Sequence, residues 1–454
     1  MSGARERMPR VTRPRPTLRG WALETAGILA FIGAVWLGRV DLLFVGLVLT
    51  VLPPAAMLAL VLDRPWLSVS RSFSPEIVAT GEEAQATLTV RNHGSRSPSP
   101  MRWRDMVGTG LSAPGPAPLP WLAEHGLPTR NRPDTATLHY RIRTQHRGVY
   151  EVGPVLLARL DPFGLARAEY AVGGERPLLV TPRVVPLAHG ELDTATTEGT
   201  EYELLRHSIP SADELIAREY RTGDPLRRVH WRATARHDKL MVRQEEQRSD
   251  PNAWILFDTR RAARTDRHVT RHHSRNAAFE QAVTLVAALG SHLLNEGFVV
   301  NVVETGRVQF SGRTGAGRLG VLGSAAASFE LPAGEQLLLA NLASVRQVGQ
   351  SARQRERDAS SAGDILADGL RRGGKAVPVF AVLVDGGLSD VTVLASVRHQ
   401  CDPAVAFLLG GASRLGDDDL VRAGFTCVTV SSGDDPQTAW REASRLYSEA
   451  TRHG

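Results

Sequence analysis

The stretch from Arg218 to Arg243 concentrates more chemically capable side chains than any other part of this chain, and it pivots on Gly223-Asp224-Pro225. Asp224 before Pro225 has the form of a helix N-cap with proline at the first helical position, so a helix is predicted from there to about Ala235. On that helix Leu226, Val229 and Ala233 share one face, with His230 beside them. Arg227, Arg228 and Trp231 share another, at three- and four-residue spacing. Two chemistries are open. A cationic helix with an accessible Trp231 can engage an anionic partner or stack on a ring. Alternatively, Arg218, Arg221 and Arg227 pair with Glu219, Asp224, Glu245 and Glu246 and lock a domain junction. Lys239-Leu240-Met241-Val242-Arg243 then reads as a short strand.

Other reactive side chains are scattered. His268, His272 and His273 fall in an arginine-rich segment with only Asp266 nearby, which reads as a solvated loop and not as a zinc site. Gly315-Ala316-Gly317 lacks both the strand-turn-helix context and the lysine of a phosphate-binding loop. Ser291 and Ser311 have no recognisable acid–base partner, and no nucleophile elbow or paired catalytic carboxylates stand out. Cys401 and Cys427 lack metal or redox spacing and flank apolar runs, as core thiols of a reducing compartment do. The formal net charge is +6, and Lys239 and Lys375 are the only lysines. Acidic residues are interspersed through most of the chain, which argues against nucleic acid as the partner.

The elements that must position these residues start with two apolar runs. Trp21–Gly38 is broken only by Glu24, and Leu42–Leu62 carries no charge. Each is long enough to cross a bilayer, and the short Arg39-Val40-Asp41 link makes them a helical hairpin. Pro53 and Pro54 are expected to kink the second helix. Glu24 is expected at the interface, within reach of the headgroups. Residues 1–20 form a basic tail, with Arg5, Arg7, Arg10, Arg13, Arg15 and Arg19 against Glu6. The positive-inside rule places that tail in the cytoplasm, and two spans return everything after Arg64 to the same side. The expected location is the cell membrane, multi-pass, with cytoplasmic soluble domains.

Residues 66–187 read as a β-sandwich-like domain of short alternating strands, among them Ala84–Val90, Thr137–Ile142, Tyr150–Val152 and Val155–Leu157. The Pro- and Gly-rich segment 108–134 reads as a long loop between strands. Residues 188–212 are a polar, acidic linker, expected to be flexible, and 213–250 hold the arginine motif. From 251 to 454 the texture changes. Apolar strands at Trp254–Phe257, Phe298–Val303, Val377–Val384, Ala404–Leu409 and Thr426–Val430 alternate with helices at 279–294, 335–345, 391–399 and 436–452. That is a doubly wound α/β domain with a parallel sheet covered on both faces. Arg346–Lys375, polar and charged, reads as an exposed insertion.

The arginine motif is similar to the signature of the domain-of-unknown-function family 58. Its pieces are Arg218-Glu219-Tyr220, Gly223-Asp224, Arg228-Val229-His230-Trp231, Ala235-Arg236 and Leu240-x-Val242-Arg243, with Thr234 where serine is expected. Upstream, Arg147–Pro154 and Asp161-Pro162-Phe163-Gly164-Leu165 resemble that family's β-domain ending, and the two-helix anchor fits as well. The resemblance implies α/β plus β: a transmembrane hairpin, a β-sandwich-like domain and a von Willebrand factor A-like C-terminal domain. It implies no established enzymatic activity, no cofactor, and a MoxR-type AAA+ ATPase as partner. Domains of that type often bind a metal through Asp-x-Ser-x-Ser after the first strand. Here Asp258 is followed by Arg260 and Ala262 at the serine positions. Arginine cannot ligate a cation, so a degenerate, metal-free site is expected, with Asp258 capping the following segment or pairing with an arginine.

The functional expectation is a membrane-anchored, cytoplasm-facing, non-enzymatic scaffold or adaptor working with that ATPase in an envelope-related or assembly process. Its motif residues would be Arg218, Tyr220, Gly223, Asp224, Arg228, His230, Trp231 and Arg236. The alternatives are an anionic-ligand binder using the arginine surface, for lipid headgroups or nucleic acid, and an enzyme with a site at the central motif.

Overall fold

The computed structural model describes residues 10–11, 14–126, 133–188, 217–219, 231–237, 239–243, 251–261, 270–310, 326–349, 352–373, 377–384, 388–410, 414–431 and 433–453. The chain divides into two compact units, Met1–Arg183 and Val184–Gly454.

The first unit opens with α1 (Leu18–Leu37) and α2 (Val40–Leu62), both long and apolar enough to cross a membrane. Helix α1 begins ahead of the apolar run because Thr17 caps it, its Oγ1 accepting from Gly20 N at 3.2 Å. Glu24 therefore lies in the second turn, about 9 Å along the axis from Leu18 and deeper than the sequence implied. Gly38, at φ +63°, ends α1 in the left-handed conformation that helix C-termini favour. Helix α2 runs continuously through Pro53 and Pro54. The helices touch backbone to backbone. A Cβ on Gly27 would stand 2.6 Å from Thr50 Oγ1, and one on Gly46 would stand 2.7 Å from Phe31 N. Small residues at such crossings let dispersion act over the whole contact.

The β-domain follows. Strands β1 (Leu67–Ser74), β2 (Glu83–Asn92), β3 (Met101–Asp105), β4 (Thr135–Thr144), β5 (Val155–Leu160) and β6 (Ala166–Val172) build two antiparallel sheets. One has β1, β2 and β4 as neighbours in that order, and the other β6, β5 and β3. Strict alternation does the folding. β2 buries Ala84, Ala86, Leu88 and Val90, and β4 buries Ala136, Leu138, Tyr140 and Ile142. These pack with Trp103, Leu157 and Tyr170 of the other sheet in one core. A smaller sheet joins Gly148–Val152, Arg176–Thr181 and Ile77–Ala79. The predicted loop 108–134 is partly structured: Leu111–Ser112 pairs with β4, Ala117–Pro118 pairs with β3, and Leu122 is buried in the core. Pairings two residues long leave no alternation to read.

One buried ionic cluster clamps the two sheets. Arg71 on β1 donates to both oxygens of Asp105 at the end of β3, at 2.8 and 2.5 Å, and to the carbonyls of Val152 and Gly174. Tyr140 adds a short hydrogen bond to Asp105. Burial, and then the neighbouring carboxylate, push the Tyr140 hydroxyl above its ordinary value, so it stays a donor.

The hairpin and the β-domain are joined at both helix ends. Thr17 N donates to Leu165 O at 2.8 Å, and Thr17 Oγ1 donates to Gly164 O at 2.6 Å. At the other end Tyr170 OH donates to Leu60 O at 2.6 Å, and Arg159 donates to Asp63 Oδ2 at 2.6 Å. Ala56 and Leu60 enter the β-domain core, with Leu23, Leu52 and Met57 packed against it.

The second unit contains α3 (Trp231–His237) and one six-stranded sheet. Its strands and helices run β7 (Asn252–Phe257), α4 (Thr270–Asn295), β8 (Val299–Glu304), β9 (Ala326–Phe329), α5 (Gly334–Ser344), α6 (Ala352–Gly373), β10 (Val377–Leu383), α7 (Leu388–Val397), β11 (Cys401–Leu409), α8 (Arg414–Arg422), β12 (Thr426–Val430) and α9 (Pro436–His453). The sheet order is β9-β8-β7-β10-β11-β12, and all neighbours are parallel except β8/β9. All five apolar strands expected from the sequence are present. The antiparallel edge strand β9 and the short helix α8 were not expected.

Side chains alternate across this sheet. Ala253, Ile255 and Phe257 of β7 face α4, α5 and α9, while Trp254 and Leu256 face α6 and α7. Helix α4 is buried nearly all round, and Ala282, Leu285, Val286, Leu289 and Leu293 are each at most 1% exposed. It is apolar enough to resemble a span but is a core helix. The expected insertion 346–375 is instead α6, which lays Ala362, Leu366 and Leu370 on the sheet at four-residue spacing. Its many exposed charges mask that stripe. The unit starts on the sheet domain as well: Leu187 is in its core, and Trp440 Nε1 donates to Ala188 O. The rest of the expected linker, 189–212, lies outside the described residues.

Candidate functional site

Two places in the second unit hold the candidate chemistry. The first is the arginine motif. Ala217–Glu219, which includes Arg218, pairs antiparallel with Met241–Arg243. Between them α3 carries Trp231 at its start and Arg236 near its end. Thr234 Oγ1 accepts from Met241 N at 3.0 Å and fastens the helix to the strand. A serine hydroxyl would do the same, which explains why threonine is acceptable there. Trp231 is 69% exposed, whereas Trp254 and Trp440 of the same unit are buried. Arg236 is exposed as well. Tyr220, Gly223, Asp224, Arg228 and His230 lie outside the described residues, and with them the expected cap and the face shared by Arg228 and Trp231.

The second place is the C-terminal end of the sheet at β7 and β10. The helices following these strands, α4 and α7, pass to opposite faces of the sheet. Open α/β sheets bind ligands in the crevice at such a switch point. Here the crevice is filled from within. Asp258, directly after β7, is 1% exposed. Its Oδ1 accepts from Arg260 Nε at 3.0 Å, Arg260 N at 3.2 Å and Thr305 Oγ1 at 2.8 Å. Its Oδ2 faces Val384 N, at the end of β10, at 3.4 Å. Arg260 is itself buried, at 5% exposure. The guanidinium thus supplies the positive charge that a buried carboxylate needs. The oxygens a cation would use are already taken, and the second residue on from Asp258 is a donor. Residue 262 lies outside the described residues.

Beside this pair, Glu304 at the end of β8 accepts from Gln309 N and Phe310 N through Oε2. Its Oε1 is buried without a partner among the described residues, as is Thr259 Oγ1. Burial raises the Glu304 carboxyl above its ordinary value, against the lowering effect of the two backbone donors.

His272 and His273 fall in the first turns of α4 and not in a loop, and His268 lies outside the described residues. Ser291 is buried on α4 and shares a short hydrogen bond with Glu335 of α5, a packing contact between helices. The Cys401 thiol is pushed up to about 12 by burial, so it is inert as a nucleophile. Among the described residues no cluster of three or more His, Cys, Asp or Glu is arranged to hold a metal.

Residues 216–401 match the family described as protein of unknown function DUF58. The arginine motif and most of the sheet that follows it thus belong to the DUF58 family. The matched region begins at the strand pair of the arginine motif and runs through the sheet to the start of β11. No curated protein matches the DUF58 chain by sequence. Among solved structures it is similar to the CARDB domain of the PF1109 protein from Pyrococcus furiosus, crystallised in complex with di-metal ions. That likeness has 14% identity over 24% of this chain and 90% of that one, with a TM-score of 0.17. It is also similar to Cwp6 from Clostridium difficile at 9% identity, over 85% of this chain and 40% of that one, with a TM-score of 0.12.

Sequence reasoning passed over the residues that fasten the hairpin. Thr17, Gly20, Gly27 and Gly46 do this by capping or by close approach. Their only signal was small residues at seven-residue spacing in α1, namely Gly20, Gly27 and Ala34, all buried.

Proposed function

We propose that this DUF58 protein is a membrane-anchored scaffold or adaptor with cytoplasmic soluble units, that it catalyses no reaction of its own, and that a MoxR-type AAA+ ATPase is its partner. The observation that carries the adaptor reading is Trp231. It opens a short helix inside the family's signature and is mostly exposed, while its sheet-domain counterparts are buried. A large aromatic left in water next to arginine is the side chain that dominates protein–protein contacts. The switch point of the sheet supports the non-enzymatic part of the proposal, since Arg260 occupies the place where a substrate or cation would sit. The doubly wound sheet is compatible with a von Willebrand factor A-like domain whose metal site has been replaced by an internal ion pair. The choice of ATPase rests on the family resemblance, and the cytoplasmic side rests on the arginine tail.

The test is recovery of the detergent-solubilised full chain with whatever binds it, comparing wild type with Trp231→Ala and Arg236→Ala. The expected outcome is an AAA+ ATPase retained by wild type and reduced at least tenfold by Trp231→Ala, with an unchanged melting temperature. Retention of the ATPase by Trp231→Ala, or unfolding of that variant, would assign the motif to a domain joint.

A further inference from the structure

The turn Asp161-Pro162-Phe163-Gly164-Leu165 is built with unusual care for a surface loop. Asp161 Oδ2 accepts from Phe163 N at 2.9 Å, Asp161 Oδ1 accepts from Ala166 N at 2.5 Å, and Gly164 N donates back to Asp161 O at 3.0 Å. Gly164 takes φ +70°, a conformation glycine adopts without strain. The result of this rigidity is an apolar tip: Phe163 is 67% exposed, and Leu160 just before it is 57% exposed. A locked turn that presents a phenylalanine to solvent needs an occupant for that side chain.

The location of the turn identifies the occupant. Thr17, the cap of α1, is hydrogen-bonded to Gly164 O and Leu165 O, and a Cβ on Gly20 would stand 2.2 Å from Leu165 O. The turn is therefore pressed against the first turn of α1. Helix α1 has 20 residues, about 30 Å, which is just the thickness of the hydrocarbon core. If it spans, no turn is spare, and its first turn lies at the boundary between headgroups and acyl chains. The β-domain also flanks α2 from Leu52 to Leu60, about 12 Å along the axis. This side of the domain is continuous with the lipid-facing surface of the hairpin.

Charge agrees with that placement. Arg15 and Arg167 sit directly opposite one another across a strand pair. Arg19 Nη1 lies 3.9 Å from where a Gly164 Cβ would be. None of these three has a carboxylate partner among the described residues. Like charges placed opposite each other repel, and an anion between them removes the cost. Trp21 and Trp66, both more than half exposed, border the same end of the hairpin, as tryptophans do at membrane interfaces.

We propose that this turn is a membrane foot. Phe163 and Leu160 insert at the headgroup–acyl boundary of the leaflet that α1 enters, while Arg15, Arg19 and Arg167 hold lipid phosphates. The foot fixes how the β-domain stands on the bilayer. The proposal rests on the reading of the hairpin as membrane-spanning, and its test separates the two.

The full chain is reconstituted in bilayers of phosphatidylcholine and phosphatidylglycerol and spin-labelled at one added cysteine: Phe163→Cys, Leu160→Cys, Val48→Cys in mid-α2, or Arg452→Cys as the water reference. The parent chain, labelled in parallel, gives the background from Cys401 and Cys427. Collision of each label with oxygen, which partitions into lipid, is compared with collision with a water-soluble nickel chelate. The expected result is a Val48 label deep in lipid and Phe163 and Leu160 labels at a shallow depth. Their nickel accessibility should be at least threefold below that of the Arg452 label. A lipid-buried Val48 label with Phe163 and Leu160 labels as nickel-accessible as Arg452 would overturn the foot while leaving the spanning hairpin intact. A water-exposed Val48 label would overturn both.

Discussion

At the scale of single residues, the two carboxylates at neighbouring strand ends of the sheet domain are partnered unequally. Asp258 has four donors around it, two of them from Arg260. Glu304, at the neighbouring strand end, has a buried oxygen with none among the described residues. Its carboxyl value is raised above the ordinary 4.5, so the folded state holds a proton that the unfolded chain releases. Its contribution to stability is therefore fully present below the unfolded value and is lost as pH rises through the folded one. At neutral pH the ionised group is a cost. Glu304→Gln keeps an acceptor for Gln309 N and Phe310 N and removes the charge. It should raise the melting temperature of this unit by about 2–4 °C at pH 7.5, as roughly 1 kcal/mol does for a domain of this size, and by less at pH 5. Equal gains at both values would show that the effect does not come from ionisation, and a loss at pH 7.5 would show that the ionised carboxylate has a favourable partner; either overturns the prediction.

At the scale of elements, the hairpin depends on glycines that a hydropathy reading treats as filler. Gly27→Ala would place its Cβ within 3 Å of Leu49 and Thr50 atoms. The Cβ of Gly33→Ala would meet only Leu42 Cδ2, at 3.6 Å. In the detergent-solubilised chain the first should destabilise the hairpin–β-domain unit by about 1–3 kcal/mol or more, the usual cost of overpacking, and the second should be near neutral. A thermal melt of the two variants side by side decides it. Strong periodic elements were legible in the sequence: both apolar helices, β2 and β4, and all five parallel strands. What was not legible follows from physics. α6 hides three core contacts among surface charges, and the short edge strands are defined by their partners. At the candidate site, the departure from Asp-x-Ser-x-Ser after Asp258 could be read directly. So could a cap or arginine pair at Asp258, which Arg260 supplies; the contacts to Thr305 and Val384, 47 and 126 residues further along the chain, could not.

At the scale of the whole molecule, both ends of the hairpin grip the same β-domain. Thr17 holds Leu165, while Leu60 and Asp63 are held by Tyr170 and Arg159. The start of α1 and the end of α2 therefore lie at one end of the hairpin, against the β-domain. This makes an even number of spans a property of the fold as well as of hydropathy. It does not by itself choose the side, which the account assigns from the arginines before α1. The measurement that tests the account most directly is a pair of reporter fusions in the full chain, one inserted between Gly38 and Arg39 and one after Gly454. Each is made with a reporter active only outside the cytoplasm and with one active only inside. The expected result is an outside signal at the hairpin loop and an inside signal at Gly454. An outside signal at Gly454, or the same side for both positions, would contradict it.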